Sequence, residues 1–132
     1  MTYEATVSYV NAEGKNKKEA CVIENAETFA DAEAQLYHEF DGEQKFDVLA
    51  LKRSAIKEIA NQREDSAQAL WVAELMSVFF DDVNEVEKAT KYKILFFSDT
   101  YDHANAFINE YIKQGYDLSL VGLKLTKFKE VI

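Results

Sequence analysis

Apolar and polar positions alternate from the start of the chain. Tyr3, Ala5, Val7 and Tyr9 are separated by Glu4, Thr6 and Ser8, the period of two expected of a strand with one wet face. The polar run NAEGKNKK follows, with Gly14 as its turn residue, and residues 20–23 read as a short return strand. The period then changes. Phe29, Ala32, Leu36 and Phe40 fall at i, i+3, i+7 and i+11, one stripe of a helix. Thr28 stands before that stripe as a cap, with Asp31 three residues on as in a capping box. Gly42 lies where the helix should stop. From Phe46 to about Ile59 the pattern predicts one long third strand.

The second half repeats this order. It predicts a strand over 70–80, an acidic loop, a strand over 91–97, a helix over 101–114 stopped at Gly115, and a strand over 117–131. The repetition is also literal. Residues 49–59 read LALKRSAIKEI and residues 121–131 read VGLKLTKFKEV, an offset of 72. At that offset Thr28 meets Thr100, Ala32 meets Ala104, Leu36 meets Ile108, Lys52 meets Lys124 and Lys57 meets Lys129. Further upstream, Tyr3-Glu-Ala fits Trp71-Val-Ala at an offset of 68, which predicts a longer hairpin loop in the second half. The fold class read from the pattern is α+β: tandem ββαβ repeats forming a pseudo-symmetric intrachain dimer, with antiparallel or mixed sheet and two helices. The first repeat covers 1–60, a polar linker 61–69, and the second repeat 70–132. A half of about 65 residues with one helix is marginal alone and must cover its apolar faces with something. Two three-stranded sheets, or one merged six-stranded sheet, are the simplest pictures. The matched small residues Ala50 and Gly122 mark a bulge or bend in the third strands.

Composition narrows the function. The apolar share of 48% argues against disorder, and no proline and four glycines argue against long irregular loops. No apolar run approaches the ~20 residues of a membrane span, and the N-terminus lacks a signal-peptide pattern, so a cytoplasmic location and no membrane partner are expected. Cys21 is alone, and His38 and His103 are isolated, so neither a disulfide, a metal nor another cofactor is expected. No phosphate-loop, nucleophile-elbow or zinc-protease motif is present, and the reading is non-enzymatic. Asp81, Asp82, Glu85 and Glu87 lack the spacing of a calcium loop and read as a solvated hairpin tip.

The net charge of −9 argues against indiscriminate nucleic-acid binding. The lysines are nonetheless clustered: Lys15, Lys17 and Lys18; Lys52, Arg53 and Lys57; Lys88, Lys91 and Lys93; Lys124, Lys127 and Lys129. Lysines matched between repeats suit a polyanion strand, or they protect exposed strand edges. Tyr3, Tyr9, Trp71, Tyr92, Phe96, Phe97 and Phe128 lie on expected strands and are either core or a base-stacking platform. Because neighbours on a strand face opposite ways, one ring in each of the pairs Phe79–Phe80 and Phe96–Phe97 needs cover from the other repeat, a homo-oligomer or a ligand. The candidate nucleic-acid-binding residues are Lys52, Arg53, Lys57, Trp71, Lys91, Tyr92, Lys93, Lys124, Lys127 and Lys129.

Several phrases carry a family likeness: Trp71-Val-Ala-Glu-Leu-Met-Ser with Tyr92-Lys-Ile-Leu, the helix start Thr100-Tyr-x-x-Ala, and the endings Ile56-Lys-Glu-Ile and Phe128-Lys-Glu-Val that follow Lys52 and Lys124. The chain resembles a two-repeat domain-of-unknown-function family of gut anaerobes and their tailed phages. The resemblance implies a small intracellular protein of phage or mobile-element type and transfers no catalytic residues. The leading expectation is a phage-type single-stranded DNA-binding or replication-accessory protein. Its alternative is a protein–protein module, such as a phage inhibitor or nucleic-acid mimic, that meets a host or phage protein through its acidic surface. Lysines gathered on one sheet face would favour the first, and a continuous acidic face the second.

Overall fold

The computed structural model describes residues 1–115 and 117–132. Their elements run β1 (Tyr3–Val10), β2 (Asn16–Ile23), α1 (Phe29–Glu39), β3 (Gln44–Arg53), β4 (Ile56–Ile59), β5 (Ala69–Asp81), β6 (Val86–Ser98), α2 (Tyr101–Lys113), β7 (Leu118–Leu125) and β8 (Phe128–Val131). The fold is α+β, with two helices and two mixed sheets of four strands each among the described residues. The expected ββαβ order recurs in both halves. Neither a pair of three-stranded sheets nor one six-stranded sheet forms, because each expected third strand breaks in two and its tail joins the other sheet. Sheet order is β3-β1-β2-β8 in one unit and β7-β5-β6-β4 in the other. The units are Met1–Ala55 with Lys127–Ile132, and Ile56–Thr126. A division at 60 and 70 leaves 56–59 with the first repeat and 128–131 with the second. In the fold these tails pair instead with β6 and β2 respectively, both parallel.

The breaks fall at matched positions and are held the same way. Ser54 N–H donates to Thr2 O at 2.9 Å, and Thr126, 72 residues on, donates its N–H to Leu70 O at 3.0 Å and its hydroxyl at 2.8 Å. The tails end alike too: Ile132 N–H reaches Val22 O at 2.7 Å, and Ala60 N–H reaches Leu95 O at 2.8 Å. Upstream of each break lies the expected bulge. The β1–β3 register skips Leu49 between Val48 and Ala50, and the β5–β7 register skips Val121 between Leu120 and Gly122. The extra residue twists the third strand, so its tail leaves the sheet that holds its body.

Each helix begins where expected. Thr28 Oγ1 accepts from Asp31 N at 3.1 Å and Thr100 Oγ1 from His103 N at 3.2 Å. Asp31 Oδ2 also accepts from Glu27 N at 3.0 Å, just before the cap. In the first unit Ala32 and Leu36 pack on Tyr3, Ala5, Val7, Cys21 and Ile23; in the second, Ala104 and Ile108 pack on Trp71, Ala73, Leu75, Ile94 and Phe96. These faces of the sheets are the helix faces. The longer second hairpin has a different origin from the one expected. Its turn, residues 82–85, is short, and the extra residues lengthen both strands to 13 residues, against 8 in β1 and β2. The distal part of that hairpin exposes Phe79 and Phe80, whereas Phe96 and Phe97 are both buried. Asn61 holds the Phe97 backbone at both ends, accepting its N–H at 2.6 Å and donating to its carbonyl at 3.0 Å.

Candidate polyanion-binding faces

Alternation along the strands decides which side chains share a face. In the first unit β1 turns its odd-numbered residues to α1, so Glu4, Thr6 and Ser8 face the other way. Their direct cross-strand partners include Val22, Ala20 and Lys18 on β2, and Lys52, Ala50 and Asp47 on β3. In the second unit Trp71, Ala73 and Leu75 face α2, so Val72, Glu74, Met76, Val78 and Phe80 lie on the reverse side. Leu95, Lys93, Lys91, Ala89 and Glu87 stand beside them, and Lys124 opposite Val72.

Each reverse face is concave beside its bulge. The first-unit cavity of ≈ 230 Å³ is lined by Glu4, Thr6, Ala50, Lys52, Lys127 and half-buried Phe128, among others. A neighbouring hollow of ≈ 380 Å³ is lined by Thr6, Lys18, Glu19, Ala20, Lys127 and Lys129. Together they gather Lys18, Lys52, Lys127 and Lys129 around Glu4, while the Glu19 carboxylate turns to the helix face and accepts from the Tyr9 hydroxyl. The second-unit cavity of ≈ 250 Å³ is lined by Val72, Glu74, Lys93, Gly122, Leu123 and Lys124. It corresponds to the first at the matched pairs Lys52–Lys124, Leu51–Leu123 and Ala50–Gly122. The small residue at each bulge leaves the hollow open; around Gly122 no described heavy atom beyond the glycine and its two chain neighbours lies within 4 Å of where a Cβ would stand.

The expected site residues divide accordingly. Lys52, Lys127 and Lys129 come together in the first unit, and Lys93 and Lys124 in the second, with Lys91 next along the same face. The other four do not join them. Arg53 is exposed at the end of β3 opposite Tyr3, a helix-face position. Lys57 places its ammonium 4.3 Å from the centre of the Tyr92 ring, also on the helix face. Tyr92 is half-buried there, and burial first, then the nearby Glu58 carboxylate, raises its hydroxyl pKa. Trp71 is core: it is 8% exposed and its indole N–H donates to Ser98 O at 3.0 Å. It offers no ring face for stacking. Lys18 joins the first-unit cluster without having been among the expected residues. Its signal was its parity with Ala20 across the hairpin from Thr6, which becomes readable only once the β1–β2 register is known.

Charge is sorted by secondary structure. Of the 15 basic side chains only Lys15, Arg63, Lys113 and Lys127 lie off the strands. Of the 24 acidic ones only Glu4, Glu19, Asp47, Glu58, Glu74, Asp81, Glu87 and Glu130 lie on them. Helices, turns and linkers therefore carry most of the negative charge, while the sheets carry slightly more positive than negative charge. Among the described residues no group of three or more His, Cys, Asp or Glu is placed to hold a metal ion. Nor is any helix among them long and apolar enough to cross a membrane.

No curated protein and no solved structure matches the chain. A family model described as Domain of unknown function (DUF4494) matches residues 1–132. The tandem ββαβ chain with its exchanged strand tails belongs to that family.

Proposed function

We propose that this protein is a non-enzymatic binder of single-stranded nucleic acid, a replication accessory of phage type, and that the lysine-lined reverse faces of its two sheets are the binding surface. The observation that carries the proposal is the first-unit hollow, whose lining brings Lys52, Lys127 and half-buried Phe128 together and where Lys18 and Lys129 continue the positive charge. Ammonium groups spaced along a groove neutralise phosphates, and a ring beside them offers a base a surface to stack on. The second unit repeats the motif with Lys93 and Lys124, and the exposed ring of Phe80 lies farther along the same face. With most strand aromatics spent in the cores, phosphate contacts dominate, and binding is steeply salt-dependent with little base preference. Acids on the helices and loops keep the remaining surface repulsive to nucleic acid and confine binding to these faces.

The direct test is fluorescence anisotropy of a labelled oligo(dT) strand at low salt, with duplex DNA of the same length as competitor. Saturable binding that the single strand competes for better than the duplex is expected. Absence of binding even near ~50 mM salt, where phosphate contacts are strong, overturns the proposal and turns attention to the acidic helices as a protein-binding surface.

A further inference from the structure

The second hairpin outruns its neighbours. β7 pairs with β5 only from Trp71 to Ser77, and β4 pairs with β6 only at Lys93, Ile94 and Leu95. Among the described residues, the outer edge of β6 over 86–92 therefore has no strand beside it. The outermost strands of both sheets are blunted, and the other open runs, 16–19 on β2 and 79–81 on β5, are shorter. β3 and β7 carry bulges, and β4 and β8 are four residues long; bulges and short length are the usual protections of a sheet edge. Residues 86–92 have neither; their guard is charge, in the exposed Glu87, Lys88 and Lys91, which a partner of matching charge can satisfy, and the β5–β6 register runs without a shift along the whole hairpin.

The backbone parity of this edge is fixed by bonds already described. Leu95 O accepts from Ala60 N, and Phe97 bonds Asn61 through both its backbone groups, so odd-numbered residues of β6 point their amides outward. On the other side of the hairpin Leu70 O and Val78 N also bond outward, and their register partners are Phe97 and Ala89. Hence Glu87, Ala89 and Lys91 present N–H and C=O to the open edge. The same residues are the ones with side chains on the reverse face, and all three are exposed.

We infer that this edge pairs with the same edge of a second copy of the chain, antiparallel and centred on Ala89. Every feature of the segment fits that register. Ala89 meets Ala89 of the second copy across the two-fold axis, a small residue where two identical side chains must sit side by side. Glu87 meets Lys91 of the second copy, and Lys91 meets its Glu87, so opposite charges face each other twice on one side of the joined sheet. On the other side Val86 meets Tyr92 and Lys88 meets Thr90. The outward-pointing residues are those that a hydrogen-bonded register needs: 87 with 91, 89 with 89 and 91 with 87. A shift of two residues one way sets Glu87 opposite Lys93, whose outer edge β4 already occupies, and the other way sets Ala89 opposite Glu87 and leaves Lys91 beyond the end of the strand. Lys91 is then committed to Glu87 of the second copy, which leaves Lys93 and Lys124 for phosphate. Edge pairing of this kind requires no nucleic acid.

Analytical ultracentrifugation of the full chain over a concentration series tests it. The wild type is expected to shift with concentration from the 15.1 kDa monomer toward twice that mass. Glu87→Lys and Lys91→Glu are each expected to be monomeric, because like charges then oppose twice. An equimolar mixture of the two variants is expected to dimerise again, as is the double exchange E87K/K91E. Ala89→Pro removes only an outward N–H, so far-UV circular dichroism should show an intact fold while the dimer is lost. A wild type that stays monomeric throughout overturns the inference, and so do single reversals that dimerise as well as wild type. Failure of the mixture to associate, with both variants folded, overturns the Ala89-centred register.

Discussion

At the scale of single residues, identical roles fall on positions 72 apart. Thr28 and Thr100 each close the first turn of a helix with a hydroxyl acceptor. Replacing either by Ala leaves a backbone N–H without that acceptor and is expected to cost about 1 kcal/mol, measured as a shift in the urea midpoint with an unchanged slope. Equal midpoints for both variants and wild type would mean the hydroxyls do not act as caps. The turn of the long hairpin is testable at the same scale. Asp81 sits there, bonded to Lys88 at 2.7 Å and to the Asn84 side chain at 2.9 Å. The Lys88 ammonium first, then Asn84, lowers its pKa from the ordinary 3.8 to about 2. A carboxylate with a depressed folded pKa stabilises the fold above its unfolded pKa, and that contribution is lost as pH falls from about 4 through about 2. Carbon-detected NMR should place the Asp81 titration midpoint below the ordinary aspartate range. A midpoint near the ordinary 3.8 would show the turn to be open. Cys21 behaves in the opposite sense: burial first, then nearby carboxylates, pushes its thiol up to about 12, so the thiolate is absent at neutral pH.

At the scale of elements, both helices, their caps and the helix-face stripes were legible in sequence, because period and capping chemistry are local. So was the bulge, since small residues at Ala50 and Gly122 stand out in apolar strands. The exchange of strand tails was not legible. LALKRSAIKEI reads as one unbroken strand, and nothing in the residue types at Ser54 or Thr126 marks a break. The break comes from bonds to Thr2 and Leu70, which are 52 and 56 residues away in sequence. The same non-locality hid the fate of Trp71, whose burial depends on pairing with Phe96 and on the stripe of α2. The exchange makes a prediction that sequence order alone reverses. Deleting Lys127–Ile132 removes β8, uncovers the β2 edge at residues 20–22, and strips Ile132 from the first-unit core. Hydrogen exchange should accelerate at residues 20–24 while residues 94–97 stay protected. Acceleration confined to the second unit would show that β8 belongs to the repeat that precedes it.

At the scale of the molecule, an acidic chain places most of its basic side chains on its strands. The matched lysine pairs were legible in sequence but their face was not, because the face depends on register and on which side each helix covers. With the faces known, Lys52, Lys127 and Lys129 converge, as do Lys93 and Lys124, and Arg53, Lys57, Trp71 and Tyr92 fall away. The decisive measurement is the salt dependence of oligo(dT) affinity for wild type and for the variant combining Lys52→Glu and Lys124→Glu. These are exposed side chains, so thermal melting should change little. Wild type is expected to give a falling straight line of log affinity against log salt. The variant is expected to bind more weakly and with a shallower slope, by about 0.7 for each phosphate it no longer neutralises. Equal slopes and affinities for the two proteins, or no affinity in either, would contradict a phosphate-binding role for these faces.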